Sequence, residues 1–443
     1  MLPVIALGGS AVALASLPYW LPRQVVALRI WVFARINGPD GIAVPGERVD
    51  AAHFLDVYAD PAAGGRSRGA ALSDLFWYWL SPGAEVHQEH IERGPRYDEV
   101  ARCTRRILSM PTPTAERLAA ACVRDALPDR TGLVRLRDLV MPVWAEFYHR
   151  VVFGRPATGE VRQLIVDNAD DVVTALKCCG LRHMDRRLRL TAHLERVLDD
   201  VPHDLPTSLD RRERALYLQG TFFNTAVVQS SEATAHLLMA LAADGSRQRA
   251  AQEDGALDRI FEETLRRFPL FGVAHRITTD SLTLPTGDVL PSGSVLCFNY
   301  PEFHRSGGHI PFGVAANRPC PAWHLAPVTV KAVTRELLDR FAFATTAAQT
   351  RSLPNRGPCL MSPRGGPVRR SGPALAFLRV RDRWEDVGRG LTQLVLGTYM
   401  VWDARRLRLC ERYFERVEAA AASGPGAAAP TGRRRRADGS VPG

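Results

Sequence analysis

The chain has 443 residues, 46% hydrophobic and 23% charged, which suits a globular protein with a large buried core. Its 57 basic against 47 acidic residues give a net charge of +10, spread as scattered arginine without aromatic interleaving. That pattern argues against a nucleic-acid partner and leaves acidic partners or anionic lipid. Eight cysteines without a CxxC pair exclude a secreted disulfide framework and point to free thiols in a reducing, cytoplasmic setting.

Residues 1–45 begin with an uncharged stretch, Met1 to Pro22, followed by Arg23, Arg29 and Arg35. The stretch is just long enough for a span, which needs roughly 20 apolar residues. The arginines would keep the rest of the chain on the cytoplasmic side. Pro3, Gly8, Gly9, Ser10, Ser16 and Pro18 weaken such a helix, and the basic start of a signal peptide is missing. Two readings stay open: a membrane-associating segment, or a segment packed on the body.

Residues 70 to 265 read as mostly helix, with apolar residues three and four apart, as in LRDLVMPVWAEFYHRVVFG. The longest candidate runs from about Arg212 to Ala243 and is apolar nearly all round, so it should be buried. In its middle sits a polar patch, Gln229 to Glu232, followed by Ala233 and Thr234. DRIFEETLRRF is a shorter helix ended by Pro269. HRITTDSLTLPTGDVLPSGSVLCFN reads as hairpin strands broken at PTGD and PSG. Next comes HIPFGVAANRPCPAWHLA, where Cys320 stands between two prolines ahead of a helix expected over roughly Ala322 to Phe341. Residues 374–420 read as a C-terminal extension of a strand and one or two helices, and 421–443, with GRRRR, as a disordered basic tail.

Three features carry chemistry: the buried helix with Glu232, the pair Glu263 and Arg266 with Arg276 beyond it, and Arg318-Pro-Cys320. Glutamate and arginine at i and i+3 share a helix face, which alone is a common surface pair. In this order the three resemble the cytochrome P-450 enzymes over about residues 80 to 350. ETLRRFP matches the family's Glu-x-x-Arg helix, HRITTD its arginine-bearing strand, and PFG…RPC…HLA its cysteine loop.

The resemblance implies the cytochrome P-450 fold, mainly α with a small β region, with residues 46–373 as the haem-thiolate domain. It implies haem b with Cys320 as axial ligand, and Arg318 and Arg276 on the propionates. It places Phe312 in the cysteine loop, and Glu263 with Arg266 as a buried pair behind the haem. Glu232 would relay protons, with Ala233 beside the iron and Thr234 adjacent. The implied reaction inserts one oxygen atom from dioxygen into a small lipophilic or biosynthetic substrate. Electrons would come from a ferredoxin or flavoprotein on a basic face. His87, His90, Arg102 or Arg105 would supply a further donor. A thiolate ligand needs a low pKa, and backbone N–H groups near a helix start favour the anion.

The sequence departs from the family pattern. Phe312 lies eight before Cys320, so the loop is one residue longer. The loop glycines are replaced by Ala316 and Ala322, the stretch before Phe312 is short, and the threonine after the helix acid is Ala233. The missing threonine suits a haem isomerase or dehydratase without a redox partner; the missing glycines suit a degenerate, non-enzymatic relative. Outside the resemblance, Cys320 reads as a core thiol, or as a zinc ligand with His304, His309 and His324.

Overall fold

The computed structural model describes residues 2–37, 41–66, 71–127, 131–253, 255–364 and 372–422; the tail beyond 422 lies outside them. In chain order come α1 (Leu2–Asn37), β1 (Ile42–Val44), α2 (Phe54–Ala59), α3 (Ala71–Leu80), α4 (Pro95–Leu108) and α5 (Thr112–Ala126). Next are β2 (Gly132–Arg135), α6 (Leu136–Phe153), α7 (Gly159–Leu176), α8 (Met184–Arg196), α9 (Arg211–Leu218) and α10 (Val227–Ala243). They are followed by α11 (Gly245–Ala250), α12 (Ala256–Arg267), β3 (Val273–Ile277), β4 (Leu282–Thr283), β5 (Val289–Leu290), β6 (Val295–Asn299) and α13 (Tyr300–Arg305). Last are α14 (Leu325–Arg340), β7 (Phe341–Ala344), β8 (Pro358–Pro363), α15 (Gly372–Leu407) and α16 (Leu409–Ala422).

The long buried helix expected from Arg212 to Ala243 forms in three parts. An Asp210–Glu213 capping box starts α9, a π-helical stretch spans Gln219–Ala226, and α10 completes the rod. The capping box satisfies N–H groups that a helix start leaves unpaired. Almost every side chain of α10 is buried, which explains why its sequence shows no polar stripe. It packs with α5, α6 and α14 around one core that includes Trp144, Phe147, Leu237 and Val333.

Three small sheets flank this bundle. β6 lies between β1, which runs parallel to it, and β3, which runs antiparallel with Ala274 opposite Phe298. β8 lies between β2 and β7, and β4 pairs with β5 through a turn at Gly287, whose φ of +89° suits glycine. The hairpins expected over residues 275–299 are therefore present.

The C-terminal extension differs from expectation. Among its described residues no strand occurs; Gly372 to Leu407 is one helix. The alternation in FLRVR suggests a strand, but the apolar residues continue at helical spacing for the full length, and leucine, alanine and arginine favour helix. α15 packs on α1, and the two run parallel. A Cβ on Gly390 would meet Val25 at 3.6 Å, and one on Gly397 would meet the Phe33 ring at 2.8 Å. Among the described residues no helix is long and apolar enough to cross a membrane.

Candidate functional site

The cysteine loop is closed by its own backbone. Cys320 N–H donates to the Phe312 carbonyl at 2.9 Å, and Val314 bridges Asn317 in a two-residue antiparallel contact. The left-handed positions are Gly313 (φ +71°) and Arg318 (φ +53°), so the bend that alanine at 316 and 322 cannot make is moved to these two residues. The helix behind the loop begins at Leu325, not near Ala322, so Cys320 sits a full turn ahead of it. The backbone N–H of Ala322 favours the thiolate form. Burial nevertheless pushes the thiol up to about 11, and the nearby negative charge of Glu89 adds to the rise.

Beside this loop three buried arginines converge from distant parts of the chain. Arg66 follows the turn after α2, Arg276 lies on β3, and Arg318 belongs to the loop itself. Arg318 Nη1 donates to the carbonyls of Gln88 (2.8 Å) and Ile91 (2.6 Å), and its guanidinium stacks over Tyr97 at 4.6 Å. Arg66 and Arg276 each reach Glu89 Oε1 at 3.1 Å. Burial alone would raise the Glu89 carboxyl, but Arg66, Arg276 and Arg318 hold it down at about 2. Two cations thus contact this one carboxylate while Arg318 acts on it from nearby, and the Nε atom of each of the three arginines is buried without a hydrogen-bond partner. His87 and His90 lie on the same segment as Glu89; burial lowers them to about 4 and about 3. Arg102 and Arg105 are exposed on α4.

The long helix presents Glu232 to α6 and α7. Its carboxylate pairs with Arg137 Nη1 at 2.6 Å and Lys177 Nζ at 3.0 Å. Against the upward push of burial, Lys177 and Arg137 hold it at about 2. Thr234 Oγ1 donates to the Ser230 carbonyl and accepts from Trp144 Nε1 at 3.1 Å, while Tyr148 and Ser230 share a bond of 3.0 Å. Ala233 is buried in the core. Thr234 and Glu232 therefore serve contacts with α6 and α7.

The irregular part of this helix, Gln219–Ala226, lies about two to four turns before Glu232. In the π-helical stretch Asn224 Nδ2 donates to the Leu80 and Pro82 carbonyls, and its Oδ1 accepts from Asn168 at 2.6 Å. Thr221 Oγ1 is buried without a partner. Gly220 packs so tightly on Gly83 that an added Cβ would lie 2.5 Å from the Gly83 carbonyl oxygen. A cavity of about 10 Å³ opens here, lined by His87, His90, Gly220, Asn224 and Thr225. The sequence signal for this stretch is QGTFFNT, a glycine ahead of an amide–hydroxyl pair.

Glu263 and Arg266 do not pair. Glu263 reaches Arg247 at 3.3 Å and Arg267 at 3.7 Å near the surface. Arg266 donates to the carbonyls of Gly307 and Gly308, both at 3.3 Å. Arg266 still ties α12 to the short stretch before the cysteine loop, as does the Glu262–His309 contact at 2.7 Å. Among the described residues no three His, Cys, Asp or Glu side chains gather as a metal ion requires.

The layered helices, the three small sheets and the cysteine loop ahead of α14 together define the cytochrome P-450 fold. Solved structures share it. A 6-coordinated cytochrome P-450 from Thermus thermophilus is 19% identical, with a TM-score of 0.53 over 68% of this chain and 91% of that one. A mutant form of cytochrome P-450SP alpha is 14% identical, with a TM-score of 0.59 over 71% of this chain and 90% of that one. A zebra fish cytochrome P-450 with abiraterone is 15% identical, with a TM-score of 0.55 over 71% and 91%. No family profile and no curated protein matches the chain in sequence. At these identities the likeness establishes the fold.

A haem asks three things of such a site: a sulfur ligand, cations for two carboxylates, and room. Cys320 and the orphaned guanidinium nitrogens of Arg66, Arg276 and Arg318 fit the first two. A cavity of about 280 Å³ lies between the second sheet and α15 and is lined by Arg135, Asp138, Arg381 and Glu385. Cys320 lines neither cavity.

Proposed function

We propose that the chain is a haem-thiolate oxidoreductase of the cytochrome P-450 type, holding haem b through Cys320. The observation that carries this reading is the meeting of three buried arginines, with unpartnered Nε atoms, beside a cysteine loop. Arg66, Arg276 and Arg318 would hold the propionates; Arg66 joins the two arginines expected from the sequence. Bound haem would supply activation of dioxygen and insertion of one oxygen atom into a small lipophilic substrate. A carboxyl held at about 2 has no proton to give near neutrality, so Glu232 is assigned a structural role. Proton delivery falls instead to the hydroxyls of Thr221 and Thr225 in the π-helical stretch, a geometry often found at functional sites. Exposed Arg93, which reaches the Ala316 carbonyl, and Arg266 flank the cysteine loop and give an acidic ferredoxin or flavoprotein a docking charge.

A second reading has its own observation. Glu89 already lies among the arginines and takes up part of their charge, as in a relative that has given up the cofactor. One measurement separates them. The purified full chain is mixed with haem, reduced, and exposed to carbon monoxide. A thiolate-type Soret shift, lost in Cys320→Ser, supports the haem enzyme, and turnover that needs an electron donor supports the monooxygenase. Absence of any haem uptake overturns the first reading and leaves the second.

A further inference from the structure

Outside the P-450-like body, α1 and α15 form a parallel pair with an unusual surface. Along α15 the positions opposite its buried face are Phe377, Trp384, Leu391, Val395, Tyr399 and Trp402, spaced at helical intervals and between 45% and 65% exposed. A surface helix normally turns such a stripe inward. On α1, Tyr19, Trp20, Ile30 and Trp31 also face outward, while Val25 and Phe33 fill the seam at Gly390 and Gly397. Each helix has 36 residues, about 54 Å in length. An apolar, aromatic surface this long is far more than scattered exposed residues and marks an interaction face.

The charges indicate what covers it. α1 carries arginine only: Arg23, Arg29 and Arg35. On α15 the exposed charged residues are Arg379, Arg381, Arg383 and Arg406. Its four acids are all paired: Asp382 accepts from Asn355, Glu385 pairs with Arg135 and Arg381, half-exposed Asp386 with Arg389, and Asp403 with Arg406. Arginines also lie over the outward rings, Arg383 over Tyr19 at 4.8 Å, Arg35 over Trp31 at 5.6 Å and Arg406 over Trp402 at 5.7 Å. Tryptophan and tyrosine mixed with arginine match the boundary between lipid headgroups and acyl chains. A second copy docking through the same two helices would bring arginine rows against arginine rows, with only half-exposed Asp386 among the described residues of the pair to answer them.

We propose that the α1–α15 pair is a platform that lies flat on an anionic membrane surface, with its aromatic stripe at the acyl boundary and its arginines among the headgroups. This goes beyond an N-terminal contact, since the C-terminal helix supplies most of the stripe, and it does not depend on the haem reading.

The test uses the purified full chain and vesicles of phosphatidylcholine alone or mixed with phosphatidylglycerol. Co-sedimentation is expected with the anionic vesicles, weaker with neutral ones and weakened by added salt. The triple variant Trp384→Gln, Leu391→Gln, Trp402→Gln changes only exposed positions and should fold, as circular dichroism would verify, yet lose binding at least tenfold. Arg379→Gln with Arg383→Gln should lower binding to anionic vesicles by roughly tenfold or more. Equal absence of binding to both vesicle types overturns the proposal. So does a concentration-dependent dimer that the triple variant dissolves, with no vesicle binding, which would assign the face to a second copy.

Discussion

One carboxylate oxygen of Glu89 bridges two arginines, Arg66 and Arg276, at 3.1 Å from each. This contact joins residues far apart in the chain, and it sets the charge balance beside Cys320. Two guanidinium groups contact this glutamate and a third, Arg318, lies close enough to act on its charge, so the cluster keeps an excess of positive charge. An anionic ligand and Glu89 would compete for the same nitrogens.

Glu89→Gln should therefore act in opposite directions with and without haem. Without it, the variant loses on the order of 3 kcal/mol, because the arginines are left without their anion. With it, the propionates replace the lost charge, and the gain in melting temperature on adding haem exceeds that of the unchanged chain. Thermal unfolding of both proteins with and without haem decides this. Equal shifts in the two would show that Glu89 and the cofactor do not share a site.

Much of this was legible in the sequence, for physical reasons. The long buried helix, the hairpins over residues 275–299 and the cysteine loop follow from apolar spacing and turn residues, which are local signals. Arg276 and Arg318 could be placed by their nearness to those landmarks. Arg66 and Glu89 could not, because their roles arise only when β3 and the loop meet the segment after α3. Glu232 misled for a related reason: an acid in a buried helix suggests chemistry, and only the fold reveals Arg137 and Lys177 against it. The start of α15 misled because FLRVR alternates like a strand over a window shorter than two helical turns.

Glu232→Gln should cost roughly 3–5 kcal/mol in urea unfolding, since it strands the buried charges of Arg137 and Lys177. The carboxyl is held at about 2 against an ordinary value of 4.5. Its contribution is then present in full above pH 4.5 and is lost as pH falls toward 2. The variant's unfolding free energy should be flatter across that window. If the haem protein forms, its proton-dependent rates near neutrality should not change in Glu232→Gln beyond what stability explains, whereas Thr225→Val should slow them. A selective rate loss in Glu232→Gln alone would return the relay to that residue.

A separate acid transition is expected from buried histidines. Burial holds His87, His236 and His275 at about 4, and His90 at about 3, against an ordinary 6.5. These imidazoles stay neutral in the fold while the unfolded chain takes up protons below pH 6.5. Unfolded chains thus bind more protons in this range, and stability declines as pH drops from 6.5 toward 4. The Glu232 window opens only at 4.5, so the range from pH 6.5 to 4.5 reads the histidines alone in a titration of unfolding free energy. His236→Gln can keep a contact with the Arg351 carbonyl, which His236 Nε2 meets at 3.2 Å. It should flatten the upper window and leave the lower one in place; an unchanged slope between pH 6.5 and 4 would count against the buried-histidine account.

Two glycines of α15 give opposite expectations for the helix pair. A side chain at Gly397 would press on the Phe33 ring at 2.8 Å and on Cys178 Sγ at 3.2 Å, so Gly397→Val must push α1 away or strain the seam. Overpacking of this kind costs about 1–3 kcal/mol. A Cβ at Gly388, exposed in the same helix, meets nothing within 4 Å. Gly388→Ala should stabilise the helix by about 0.5–1 kcal/mol, because glycine is the poorer helix former. Limited proteolysis reads both changes: Gly397→Val should speed cleavage within α1 while the body resists, and Gly388→Ala should slow it. Equal cleavage in the two variants would mean that α1 is not held at the Phe33–Gly397 contact, and the parallel seam would have to be abandoned.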